Sequence, residues 1–156
     1  MGNYTNYDEW ENNLNLSIKN YTGEINSDFL FGYYAHVITD IACSEKLWNP
    51  VRLTNNEKYI KNFAKDCYEI DSRLLEGLEN KEIIWSLLKN STNYCLPGVF
   101  NVGDLSILID EMITNMYNKR KPSRYYKFKV ITFTDMLDFI DITTSKINNS
   151  QFRLQA

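Results

Sequence analysis

The chain holds one histidine, His36, and Asp40 follows it four residues later inside the most apolar stretch of the sequence, Phe29 to Ala42. On a helix such a pair stacks on one face about 6 Å apart. An imidazole nitrogen and a carboxylate oxygen placed there can converge on one divalent ion, and Zn²⁺ accepts both ligand types. The same two residues can also form a hydrogen-bonded couple that needs no ion. Either way they are expected to face a polar cleft or a buried polar pocket, because an unpaired polar group in an apolar core is costly. Loss of His36 would then destabilise the fold by about 1–3 kcal/mol, since Asp40 loses its partner.

With no second imidazole, further ligands would have to be carboxylates or water. Asp66, Asp71, Asp104, Asp110, Glu111, Asp135, Asp138 and Asp141 lie on or beside expected helices. A carboxylate-rich set favours Mg²⁺, Mn²⁺ or iron over zinc. Asp135, Asp138 and Asp141 recur every three residues, which marks the exposed stripe of a helix. Other chemistries find less support. There is no glycine-rich phosphate loop, and no motif sets a nucleophile beside His36. Cys43 lies about two turns away at an angular offset that points it elsewhere. The 11 Tyr and 3 Trp follow helical spacing, as core residues do.

The elements that must position these groups are helices. Apolar residues recur at three- and four-residue spacings, and only 6 Gly and 3 Pro interrupt them. The pattern predicts helices near residues 8–21, 28–47, 55–76, 81–89, 104–119 and 130–147, an all-α bundle of about six. Asp8 and Ser27 are the expected N-caps of the first two, and Thr54 with Glu57 fits a capping box for the third. Pro50 falls just after the second helix. That helix is apolar nearly all round and belongs in the middle of the bundle, with Phe29, Tyr33, Val37 and Ile41 in the core. Trp10, Leu14, Ile18 and Tyr21 trace the inner face of the first helix. The third carries Tyr59, Ile60, Phe63, Cys67, Ile70, Leu74 and Leu75 inward. Leu105, Leu108, Ile109, Met112, Ile113 and Met116 do so for the fifth. Phe133, Met136, Leu137, Ile140, Thr144 and Ile147 do so for the last. Tyr125 to Ile131 could be extended, and 90–103 is the longest irregular stretch.

A chain of 156 residues is one typical domain, here with a core over 8–147 and a tail at 148–156 that frays. Its net charge of -3 lacks the basic field on which non-specific nucleic-acid binding depends. The one dense basic patch, Lys119, Arg120, Lys121, Arg124, Lys127 and Lys129, reads as a solvated loop between two helices. No signal peptide is evident at the amino end, the myristoylation pattern fails at Asn6, and no apolar run approaches a membrane span. Three cysteines, Cys43, Cys67 and Cys95, suit buried thiols in a reducing compartment, so a cytoplasmic location is expected.

Phe29-x-x-Gly32-Tyr33-x-x-His36-x-x-x-Asp40, then Leu47-Trp48, then Tyr59 ahead of the segment Lys65 to Asp71 with Leu74 and Leu75, resembles the central part of the zinc-dependent phospholipase C-like hydrolases of bacteria. The resemblance covers about residues 8 to 76. It implies an all-helical fold, with His36 and Asp40 as metal ligands and Asp66 or Asp71 on the next helix as candidates to complete the set. It also implies a divalent metal, zinc, that activates water for attack on a phospholipid or another phosphodiester. The family's upstream histidines and Pro-Asp element have no counterpart before Asp8. The expectation is therefore a truncated or degenerate member of the family. The alternative is a non-enzymatic helical protein-interaction module in which His36 and Asp40 form a buried pair.

Overall fold

The computed structural model describes residues 6–91, 102–117 and 121–150. Cys95, Lys119, Arg120, most of the irregular 90–103 stretch and the end of the tail lie outside these residues, as do the side chains of Asp104, Leu105 and Met116. The protein is all-helical. Its helices are α1 (Tyr7–Tyr21), α2 (Ser27–Cys43), α3 (Asn49–Leu53), α4 (Glu57–Glu76), α5 (Lys81–Lys89), α6 (Val102–Glu111) and α7 (Phe133–Asn148). A π-helical turn, Ser44–Trp48, joins α2 to α3 without a break, and a second, Met112–Tyr117, extends α6, so the helical stretches among the described residues number six. Among the described residues there is no β-strand, only an isolated bridge between Thr22 and Ile25. No described helix is long and apolar enough to cross a membrane.

Asparagine starts three of the helices, where Asp8, Ser27 and Thr54 were expected to do so. The Asn6 side chain accepts from the Glu9 N–H at 3.1 Å, and Asn26 accepts from Phe29 at 3.0 Å. Asn56 accepts from both Lys58 and Tyr59, at 3.0 and 3.1 Å. Each satisfies amides that the first turn leaves orphaned. Gly23 adopts φ 86° in the turn between α1 and α2, a left-handed conformation that a side chain would strain. Pro50 does not end a helix, contrary to expectation. The π turn leads into α3, and Pro50 falls in the first turn of that helix. The Tyr7 hydroxyl marks that turn. It donates to the Ser44 carbonyl at 3.5 Å and accepts from the Asn49 side-chain amide.

The chain divides into two compact units, one of residues 1–61 with 133–156 and one of 62–132. In the first unit α2 packs against α1 and α7. Its core is Leu14, Ile18, Leu30, Tyr34, Ile38 and Ile41, flanked by half-buried Tyr7, Trp10, Tyr21, Tyr33, Val37 and Ile147. The inner face of α1 is as expected. That of α2 is displaced by one residue. Leu30, Tyr34 and Ile38 are buried, whereas Phe29, Tyr33 and Val37 are only half-buried, and of the four residues expected in the core Ile41 alone is buried. On α7 the buried position is Thr143, with Thr144 and Leu137 exposed.

The second unit contains most of α4, then α5, α6 and the segment from 121 to 132. Phe63, Ile70, Ile113 and Ile131 are buried apolar residues there. Beside them α4 buries three polar residues, Asp66, Glu69 and Ser72. Tyr59 and Leu108, expected inside, are exposed.

Candidate functional site

Helix α2 does bring His36 and Asp40 together, with Nε2 of the ring 3.5 Å from Oδ2 of the carboxylate. The i, i+4 spacing on an unbroken helix is sufficient cause. Their surroundings differ from expectation. The His36 side chain is 71% exposed and that of Asp40 41%, so the pair lies on the open side of α2 and not in a buried pocket. The one-residue displacement of the inner face explains this: burying Leu30, Tyr34, Ile38 and Ile41 turns position 36 outward. Exposed pairs of this kind contribute at most about 1 kcal/mol. We therefore expect His36→Ala to change unfolding stability in urea by less than about 1 kcal/mol, below the range a buried pair would give. Gly32, one turn before His36, is exposed, and a Cβ added there meets nothing within 4 Å. No close packing requires a glycine at that position of the motif.

Cys43 follows Asp40 by three residues. Burial pushes its thiol above the ordinary value, and the Asp40 carboxylate pushes it further. Both effects keep the sulfur protonated, the opposite of what a nucleophile needs.

Asp66 and Asp71 lie on the part of α4 that belongs to the second unit. Asp71 is exposed. Asp66 is fully buried, and its carboxylate is engaged by the chain itself. Oδ1 accepts from the Tyr126 hydroxyl at 2.9 Å, and Oδ2 accepts from the backbone N–H groups of Lys129, Val130 and Ile131 at 3.0, 2.7 and 3.2 Å. Successive backbone amides form a concavity suited to an anion, and here the anion is a side chain of the same unit. One turn on, Glu69 accepts from the Ser123 N–H through both oxygens, each at 3.0 Å, and from Arg73 Nε at 2.9 Å. Arg73 also donates to the Ser123 carbonyl at 3.4 Å, and its guanidinium carbon lies 5.0 Å from the Phe128 ring centre. Two buried carboxylates thus tie the irregular segment 123–131 to α4. Asp66, a candidate metal ligand by sequence, is thus a structural anchor, and residue type alone does not mark Glu69 as its companion.

Among the described residues, no three His, Cys, Asp or Glu side chains gather so as to hold a metal ion. Asp135, Asp138 and Asp141 are exposed along α7, as their spacing predicted. What His36 and Asp40 offer is two ligands where a catalytic zinc keeps three from the protein. The described residues therefore do not fit a resident catalytic zinc. No family profile, curated protein or solved structure matches this chain, so the likeness around Gly32 to Asp40 rests on those residues alone.

Proposed function

We propose that this protein is a non-enzymatic helical interaction module that presents apolar side chains of α5 and α6 to a partner. The observation that carries this reading is the exposure of Ile83 and Leu87 on α5 and of Ile107 and Leu108 on α6, at 60%, 67%, 67% and 58%. The two helices pack on each other within one unit. Single exposed apolar residues are ordinary on a protein surface; the reading is supported by four of them standing on two helices that pack on each other. Ile83 and Leu87 stand one turn apart, the spacing that another apolar helix face reads. A second copy of the chain is the simplest supplier, because an isologous contact needs only one such surface. Sedimentation velocity should show reversible self-association that the double variant Ile83→Glu, Leu87→Glu abolishes while helicity and stability hold. A monomer at every concentration would overturn self-association. A variant that unfolds as core variants do would overturn the interaction surface altogether.

A second reading keeps the resemblance to metal-dependent phosphodiester and phospholipid hydrolases. Its support is the 3.5 Å approach of His36 to Asp40 on a face that solvent reaches. With two protein ligands no hydrolytic step follows, but weak binding of one divalent ion, zinc first, would leave a trace. Inductively coupled plasma mass spectrometry of protein purified without chelator should then find zinc that His36→Ala removes. Equal metal content in both proteins would end this reading.

A further inference from the structure

The basic segment that reads from sequence as a solvated loop is held in place by structure. Between Lys121 and Ile131 there is no acidic residue, and Lys121, Arg124, Lys127 and Lys129 are all exposed. Asp66 and Glu69 take up the backbone amides of the same segment, so their charge is spent inward on the main chain while the basic side chains face out. Where the segment meets the end of α4, Arg73, Glu76, Pro122, Ser123 and Arg124 line a hollow of about 450 Å³. That volume suits a small molecule. Arg73 enters the hollow already oriented. Glu69 holds its Nε, the Ser123 carbonyl holds Nη2, and the guanidinium carbon lies over the Phe128 ring. An arginine carries five N–H donors in a rigid fork, and these contacts use two of them. Little further side-chain freedom is lost when the remaining donors meet an oxyanion.

We propose that this hollow binds a phosphate group, held between the guanidiniums of Arg73 and Arg124. Arginine forks match phosphate oxygens in geometry and form charge-assisted hydrogen bonds with them. Glu76 opposes a bare polyanion and offers an acceptor to hydroxyl groups, which fits a phosphomonoester of a hydroxylated carrier such as a sugar phosphate. The site is separate from the apolar surface of α5 and α6 and does not depend on that reading.

The test is isothermal titration of the full chain with ribose 5-phosphate, inorganic phosphate and ribose. Saturable binding of either phosphate supports the site, and the tighter of the two identifies the source. Arg124 is exposed, so Arg124→Ala leaves the fold intact and should weaken binding about tenfold or more. Arg124→Lys should restore part of the loss, and Lys127→Ala should change little. Glu76→Gln should favour inorganic phosphate over the ester. Ribose binding as well as its phosphate would overturn the proposal, as would an absence of saturable phosphate binding. Equal losses for Arg124→Ala and Lys127→Ala would also overturn it, because diffuse attraction to a basic surface has no preferred residue.

Discussion

Asp66→Ala should lower the unfolding free energy by about 3 kcal/mol, measured by urea denaturation. The side chain is 0% exposed and serves four donors, three of them backbone N–H groups of consecutive residues. Alanine would leave all four without the acceptor they share, and each buried donor left unpaired costs about 1–3 kcal/mol, although such costs do not simply add. Asp66→Asn keeps one carbonyl oxygen but turns an amide towards donors, so it should fall between the wild type and alanine. Tyr126 supplies an independent signal. Its hydroxyl is pushed up to about 12, first by burial, then by the hydrogen bond it donates to Asp66, and further by the charges of Asp66 and Glu69. Its value in the unfolded chain is about 10. The neutral phenol therefore adds stability that is fully present below about pH 10. That contribution is lost as the pH rises through about 12. In an ultraviolet titration of phenolate absorbance, Asp66→Asn should bring the Tyr126 step, identified by its loss in Tyr126→Phe, to lower pH. If the alanine variant behaves as a surface substitution, within about 0.5 kcal/mol of wild type, Asp66 does not anchor the segment.

How much of this was legible in the sequence depends on what kind of group does the work. The helices were legible because apolar spacing alone specifies them. Lys81–Lys89 falls where the pattern put it, and Leu14 and Ile18 are buried as α1 required. On α2 the same reasoning found the helix but not its orientation. A helix apolar on most sides has no polar stripe to set its phase, so the pattern allows Phe29, Tyr33 and Val37 as the inner face as readily as Leu30, Tyr34 and Ile38, which are the residues buried. The same all-round apolar character places His36 inside, whereas its side chain is 71% exposed. The N-caps fell on Asn6, Asn26 and Asn56, each one or two residues from the residues expected.

The Asp66 and Glu69 anchors were hidden for a different reason. Their partners are main-chain amides 54 to 65 residues away in sequence, and an amide leaves no mark in residue type. One signal was available. A segment with no helical period and no strand partner, as between Lys121 and Ile131, must still satisfy its N–H groups, and a buried acid is one way to do it. α7 begins at Phe133, three residues after the start that the apolar spacing gives.

The orientation of α2 decides whether the His36/Asp40 pair is a core feature, and two truncations test it directly. Ile38 is 1% exposed at the centre of the first unit's core, among Leu14, Ile18, Leu30, Tyr34 and Ile41. Ile38→Ala should cost about 2–5 kcal/mol, the lost transfer of the side chain plus the cavity that its neighbours cannot fully close. Val37 only flanks that core, and it is the smaller side chain. Val37→Ala should therefore cost less than about 1.5 kcal/mol, since a half-buried valine gives up part of its transfer energy and leaves no closed cavity. Both variants keep the helix, because alanine is the best helix former, so the contrast reports packing and not propensity. Paired urea titrations read it. If Val37→Ala proved the more damaging, the helix would be turned as the apolar pattern alone suggested, and His36 would face inward. With Ile38 the more damaging, the ring of His36 stays in water. Burial then does nothing to strengthen its pairing with Asp40.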